Sequence, residues 1–389
     1  MVLNESFNNG VLTLFPAGKI DSGNAPQYEK AILKAVSRKG VKSVIFDLKD
    51  LDYITSAGLR IILGVWKKYP GSSVVNANSA VYEIFVMTGF SQMMPVSHAM
   101  REISIEGLPV IGEGFTATVY RLSGDSIVKV FRAGRSLESV NAEIDAAKKA
   151  FIYGIPTAIS FDTVRVGDRY GLVFEMLDCA TLRDLIVAHP SEFPKYKAMY
   201  AELSYKITHT HAPDANLGDC KSPLLEKFSV LSTVLTPEEY GKLIGMIEAI
   251  PDADTLTHGD FHIKNVLVQN GEPILIDMDS VSLGAPIFEL EDIYLSYKAY
   301  NEAEPSNASD FFGVEQAKLD ALFDAVVHRY FPGKSAAELQ AIYDKVILLG
   351  TTHLAYQTIH YKKDINGRLD KALARIRDLL SRYDDLILE

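Results

Sequence analysis

The chain has 389 residues, of which 48% are hydrophobic and 23% charged, and a net charge of −11. A length of this order predicts two or three domains, and the composition excludes disorder, a collagen-like repeat and a coiled-coil rod. No apolar run approaches the roughly 20 residues that a bilayer span needs, and an acidic body has too little positive charge to displace counterions from nucleic-acid phosphates.

The first ten residues carry Glu5 and no basic stretch, so no signal peptide is read. Cys179 and Cys220 show no metal-ligand spacing, which disfavours a zinc ribbon and a disulfide scaffold. A reducing, cytoplasmic location is expected, with neither nucleic acid nor membrane as partner. Charge is uneven: residues 1–105 hold eleven basic and eight acidic side chains, so the acidity belongs to residues 106–389.

In chain order, Val11–Ile20 reads as a strand, Asn24–Lys39 as a helix stopped at Gly40, and Val41–Leu48 as a buried strand. Ser56–Tyr69 is an amphipathic helix, Ser72–Asn76 a short strand and Val81–Thr88 a further helix. This alternation predicts an α/β domain over 1–105. Beyond Arg101–Leu108 the texture changes. Val110–Tyr120, Ser126–Phe131, Ala158–Val166 and Tyr170–Met176 read as strands, interrupted by a helix at about Ser136–Tyr153. From Thr181 the chain is mostly helical, with a capping box at Thr236-Pro237-Glu238-Glu239. Asn301–Asp310 reads as a surface loop. Strands first and helices later predict a two-lobed α+β domain over 106–389, with an N-lobe at about 108–178 and a C-lobe at about 179–389.

The first domain has no catalytic set of its own. Ser56 stands where a loop turns into a helix, so a phosphate there would meet free backbone N–H groups and the positive end of the helix dipole. It would also add charge near Asp52. Equally, Thr55 or Ser56 could simply cap the helix. Residues 1–105 resemble the STAS domain of anti-sigma factor antagonists. The resemblance rests on Gly18-Lys19-Ile20-Asp21, Val44–Leu48 and Leu51–Arg60. It implies a regulatory or binding module, a possible protein partner, and a regulatory phosphosite candidate at Ser56. Thr55 stands where that family often has Asp.

The second domain carries His258-Gly259-Asp260-Phe261-His262-Ile263-Lys264-Asn265 and then Ile274–Asp279. Phosphoryl transfer needs a carboxylate beside the attacking hydroxyl and oxygen ligands for Mg²⁺. Asp260 supplies the first, and Asn265 and Asp277 the second. His258 is the candidate catalytic histidine beside Asp260, while His262 reads as a hydrogen-bonded loop residue. Upstream, Gly112 and Gly114 suit a hairpin lid over phosphates. Lys129, alone in an apolar strand, needs a partner to be buried: phosphates and a carboxylate, Glu143 first and Glu138 second. Glu289, Glu291 and Asp292 could face a cationic substrate or lie on a solvated helix face.

On these residues, the segment from Leu108 onward resembles the aminoglycoside phosphotransferase and choline kinase group of the protein-kinase-like fold. The resemblance implies ATP between two lobes, Asp260 as catalytic base, Asn265 and Asp277 as Mg²⁺ ligands, and Lys129 on the phosphates paired with Glu143. It implies that Glu175-Met176-Leu177 reads adenine through backbone groups. Ala117 departs from the usual third glycine. Only some 15 residues separate Asp277 from Asp292, with no activation segment. That favours a small-molecule hydroxyl such as an amino alcohol, aminoglycoside or sugar. The alternative is a signalling protein whose kinase-like domain phosphorylates a STAS serine, Ser56 or one in a partner.

Overall fold

The computed structural model describes residues 3–388. Contacts divide the chain into two units, one of residues 1–104 with 163–168, the other of 105–162 with 169–389.

The first unit alternates strands and helices: β1 (Asn4–Asn8), β2 (Val11–Phe15), β3 (Gly18–Ile20), α1 (Ala25–Val36), β4 (Ser43–Asp47), β5 (Leu51–Ile54), α2 (Ser56–Lys68), β6 (Ser73–Ala77), α3 (Ser79–Met87), α4 (Phe90–Met93), β7 (Val96–His98) and β8 (Arg101–Glu102). A mixed sheet runs β1-β2-β4-β6-β7, antiparallel at β1-β2 and parallel thereafter. The expected strand Val11–Ile20 is two strands. Pro16 has no N–H to give a ladder, and Gly18 turns the chain at φ 70°, so β3 leaves the main sheet and pairs with β5 instead. Leu12, Leu14, Val44, Phe46 and Val74 on one sheet face pack on Tyr28, Ile32, Leu59 and Ile62 of α1 and α2. Val164 and Arg165 pair in parallel with β8.

The second unit begins with β9 (Val110–Glu113), β10 (Ala117–Arg121), β11 (Ser126–Phe131) and α5 (Leu137–Ile152); after β12 (Asp162–Val166), all but the first residue of which belongs to the first unit, it resumes with β13 (Arg169–Glu175). Strands β9, β10, β11 and β13 are antiparallel in the order β13-β11-β10-β9. The expected strand Val110–Tyr120 is thus a hairpin, turning at Gly114–Thr116. Then come β14 (Ala180–Thr181), α6 (Leu182–Ala188), α7 (Phe193–Thr208), α8 (Lys221–Phe228), α9 (Pro237–Glu248), β15 (Leu256–Thr257), β16 (Val266–Gln269), β17 (Glu272–Leu275), β18 (Ser282–Leu283), α10 (Pro286–Tyr297), α11 (Asn307–Phe312), α12 (Gln316–Tyr330), α13 (Ala336–His360) and α14 (Arg368–Arg382). The helical core includes Tyr200, Phe228, Phe261, Leu290, Ile293, Phe323 and Leu349. Thr236 makes its capping box with Glu239.

Two expectations fail here. Asn301–Asp310 is no open loop: it enters α11, and Ala303 and Ala308 are buried. Glu289 and Glu291 lie on no solvated face, because α10 is buried nearly all round. Among the described residues no helix is long and apolar enough to cross a membrane.

Candidate active site

The two turns that build the site are legible locally. Asn270 and Gly271 both have positive φ, 53° and 85°, the geometry of a tight hairpin turn. The turn zips β16 onto β17 with Val266 opposite Leu275. That register sets Asn265 beside Ile276, whose N–H donates to the Asn265 carbonyl at 3.0 Å. Asp277 follows in the left-handed region, φ 64° and ψ 59°. A non-glycine residue there costs on the order of 1–2 kcal/mol and persists where its surroundings over-determine it.

Lys129 is the partner that holds the Asp277 side chain. Lys129 stands on β11 between buried Val128 and Val130, on the opposite sheet face. Its ammonium meets Glu143 Oε1 of α5 at 2.7 Å and Asp277 Oδ1 at 2.5 Å. Burial would lower the lysine pKa, but Asp277 and Glu143 outweigh it and hold it above the ordinary value. Burial would likewise raise the Asp277 pKa, and Lys129 overrides it and holds the carboxyl low. Glu138, the second-choice partner, is exposed and makes no pair with Lys129.

On the other side, Asn265 donates its amide to Asp260 Oδ2 at 3.1 Å and to the Asp260 carbonyl at 3.0 Å. This leaves Asn265 Oδ1 as the donor atom for a cation. Carboxylate oxygens of Glu143, Asp277 and Asp279 also lie within 4.8 Å of one another. An all-oxygen set of this kind fits a hard divalent ion. Asp260 itself is half-exposed. His262, read as a plain loop histidine, puts Nε2 3.4 Å from Asp260 Oδ1. His258 makes no hydrogen bond to Asp260 among the described residues: it is fully buried, and its Nε2 faces the Ile276 carbonyl at 3.1 Å. Burial holds its pKa below the ordinary value.

The loop carrying Asp260 is clamped from below. Glu289 of α10 is 0% exposed, and its Oε2 accepts the N–H groups of His258 and Gly259 at 2.9 and 3.2 Å. Ile263 N–H donates to Tyr297 Oη, Tyr297 to Tyr200 Oη, and Tyr200 to the Phe261 carbonyl, at 3.1, 3.0 and 2.9 Å. Gly259 sits at φ 74°, and a Cβ there would meet the Ser280 carbonyl at 2.9 Å, so glycine is required. Burial pushes Glu289 up to about 7. Sequence reasoning missed this clamp. Its signal was an acid flanked by Phe288 and Leu290.

The hairpin tip differs from expectation in kind. Neither Gly112 nor Gly114 has a positive φ, and a Cβ on either would make only ordinary contacts, at 3.6 and 3.5 Å. Their backbone conformation does not demand glycine. Phe115 between them and Ala117 is 95% exposed. At the end of β13, Glu175 pairs across to Ser126, and Met176 N–H bonds the Asp125 carbonyl at 2.9 Å. The N–H and C=O of Leu177 have no partner among the described residues.

In the first unit, Ser56 opens α2 exposed, and its hydroxyl makes no hydrogen bond among the described residues. Thr55, in the capping position, gives its hydroxyl to the Ile20 carbonyl at 3.1 Å instead. The helix therefore starts without a side-chain cap. Gly58 is fixed by packing, since a Cβ there would come within 2.6 Å of Ile54 and 2.8 Å of Ile20.

Comparison with known proteins gives both halves a family. Residues 107–312 match the model of the phosphotransferase enzyme family, and residues 4–103 match the STAS domain. The chain belongs to the phosphotransferase enzyme family, with a STAS domain ahead of its enzyme domain. A protein of Bordetella bronchiseptica named as an anti-sigma factor antagonist, BtrV, is 39% identical over 95 residues, 23% of this chain and 81% of that protein. Among solved structures, a choline/ethanolamine kinase family protein from Mesorhizobium loti is 18% identical at a TM-score of 0.45, over 70% of this chain and 87% of that one. The amicoumacin kinase hAmiN, solved with AMP-PNP, Ca²⁺ and Ami, is 14% identical at 0.47, over 78% and 94%.

Proposed function

We propose that the second domain transfers the γ-phosphate of Mg²⁺-bound ATP to a hydroxyl of a small molecule, and that the STAS domain regulates or localises it. The observation that carries this reading is the convergence of Lys129, Glu143 and Asp277 from three separate elements, beside the Asp260–Asn265 pair. Lys129 is held ready for phosphate oxygens. Asp277 and Asn265 would hold a magnesium ion, which when bound offsets phosphate charge. Asp260, half-exposed and fixed by the Asn265 amide, orients the acceptor hydroxyl and takes its proton. The unpaired backbone groups of Leu177 suit an adenine edge, and the Gly112–Gly114 hairpin suits a lid. A small acceptor is favoured because a short helical turn at Met278–Ser280 and β18 fill the stretch from Asp277 to α10, leaving no extended segment to dock a peptide.

The test is transfer from γ-labelled ATP with Mg²⁺ to a panel of amino alcohols, aminoglycosides and sugars, with the protein band counted separately. Asp260→Ala should lower transfer by about 10²–10⁴-fold, the usual worth of a positioned acid–base group. An unchanged rate would sink the assignment of Asp260.

One observation favours a second reading. Ser56 is exposed, unbonded and at an uncapped helix start, so the domain could phosphorylate a STAS serine, in cis or in a partner. Label would then stay on protein and disappear in Ser56→Ala if the target is in cis.

A further inference from the structure

The Lys129–Glu143 pair is half of a larger arrangement. Glu143 gives Oε1 to Lys129 and Oε2 to Arg135 Nη2, the latter at 2.9 Å. Arg135 then extends Nη1 to Asp279 Oδ2 at 3.3 Å. Cations and carboxylates therefore alternate: Asp277, Lys129, Glu143, Arg135, Asp279. Each cation ties Glu143 of α5 to a different acid of the segment after β17. The guanidinium lies 4.4 Å from the Phe131 ring centroid, and the side chain is only 15% exposed. A planar guanidinium can span two carboxylates in a fixed geometry, which a lysine ammonium does less well.

We propose that Arg135 is a positioning residue of the nucleotide site. It holds Glu143 and Asp279 together, so that Glu143 keeps Lys129 aimed and the Asp277–Asp279 turn stays fixed against α5. Three carboxylates face two cations here. Removing Arg135 leaves one cation for all three, with Glu143 5% exposed, and an uncompensated buried charge is costly. Glu143 then swings away from Lys129, or Asp279 turns out to water. The inference rests on reading this site as nucleotide-binding.

The experiment is fluorescence titration of the full chain with mant-ATP and Mg²⁺, on wild type, Arg135→Met, Arg135→Lys, Asp279→Ala and the Arg135→Met/Asp279→Ala double variant. Thermal melting checks that each is folded. Arg135→Met should weaken binding by about tenfold, and the double variant should be no weaker than the weaker single, because contacting partners are non-additive. Arg135→Lys should fall between wild type and Arg135→Met, and it decides alone if Arg135→Met does not fold. Wild-type affinity in the arginine variants, or losses that multiply in the double variant, overturns the proposal while leaving the nucleotide reading standing. A wild-type chain that binds no mant-ATP overturns both.

Discussion

The start of α2 and the loop after β15 both place polar groups at the end of a structural element, but they finish them differently. At α2 the Ser56 hydroxyl is exposed and unbonded, and Thr55 spends its own hydroxyl on Ile20. At the loop, Glu289, Tyr297 and Tyr200 bind the backbone of residues 258–263 from inside the core. Lys129, Glu143, Arg135 and Asp279 are all paired. A site left open at a helix N-terminus can change only by receiving something, such as an anion or a partner. A site whose charges are already paired is organised in advance, which is what phosphoryl transfer asks of a protein.

Substitutions can break that contrast. Glu289→Leu strands the buried N–H of His258 and the part-buried N–H of Gly259 and should cost roughly 2–4 kcal/mol of stability, together with most transfer activity. Glu289→Gln keeps an oxygen acceptor and should keep both. The glutamate also sets a pH signature. Its folded value of about 7 lies above the ordinary 4.5, so the folded chain keeps a proton that the unfolded chain releases. Stability from this group is therefore full below about pH 4.5 and falls as pH rises to about 7, by at most about 3 kcal/mol. Denaturant melts across pH 5–8 should show that slope in wild type and a shallower one in Glu289→Gln, the remainder coming from the buried Asp292 and Glu143 carboxyls, which burial also raises. A slope unchanged by Glu289→Gln would place the titration elsewhere.

Smaller effects sharpen the other side. Gly58→Ala, two residues along α2 from Ser56, forces a methyl against Ile54 and Ile20 and should cost about 1–3 kcal/mol. Ser56→Asp adds a carboxylate at the free N–H groups and should stabilise the chain by about 0.3–1 kcal/mol. Chemical denaturation of the two variants compares them directly. A Ser56→Asp change that destabilises would mean the helix start is not the open anion-accepting end described here.

How much could be read beforehand depended on what each feature required. Helices α1, α2 and α5 were visible because burial repeats along them at the helical period. The pairing of Lys129 with Glu143 was legible because a lysine inside an apolar strand must find a carboxylate. The split of Val11–Ile20 was missed because Val11–Phe15 alternates cleanly and hides the break at Pro16 and Gly18. Arg135 was missed because a lone arginine before a helix has no local signature. Glu289 and Glu291 of α10 were misread because charge in a helical stretch suggests a solvated face but does not report whether that face meets water.

The sequence by itself determined the two domains, the order of the chemical residues and the capping box at Thr236–Glu239, because these rest on local backbone preference and short-range pattern. Only the tertiary structure decided which histidine stands by Asp260, that Asp277 joins Glu143 on Lys129 while Arg135 joins Glu143 to Asp279, and that Glu289 is buried beneath the loop carrying Asp260. Those are contacts between elements up to 148 residues apart in the chain, and burial and charge pairing across such distances are set by packing, which no local pattern encodes.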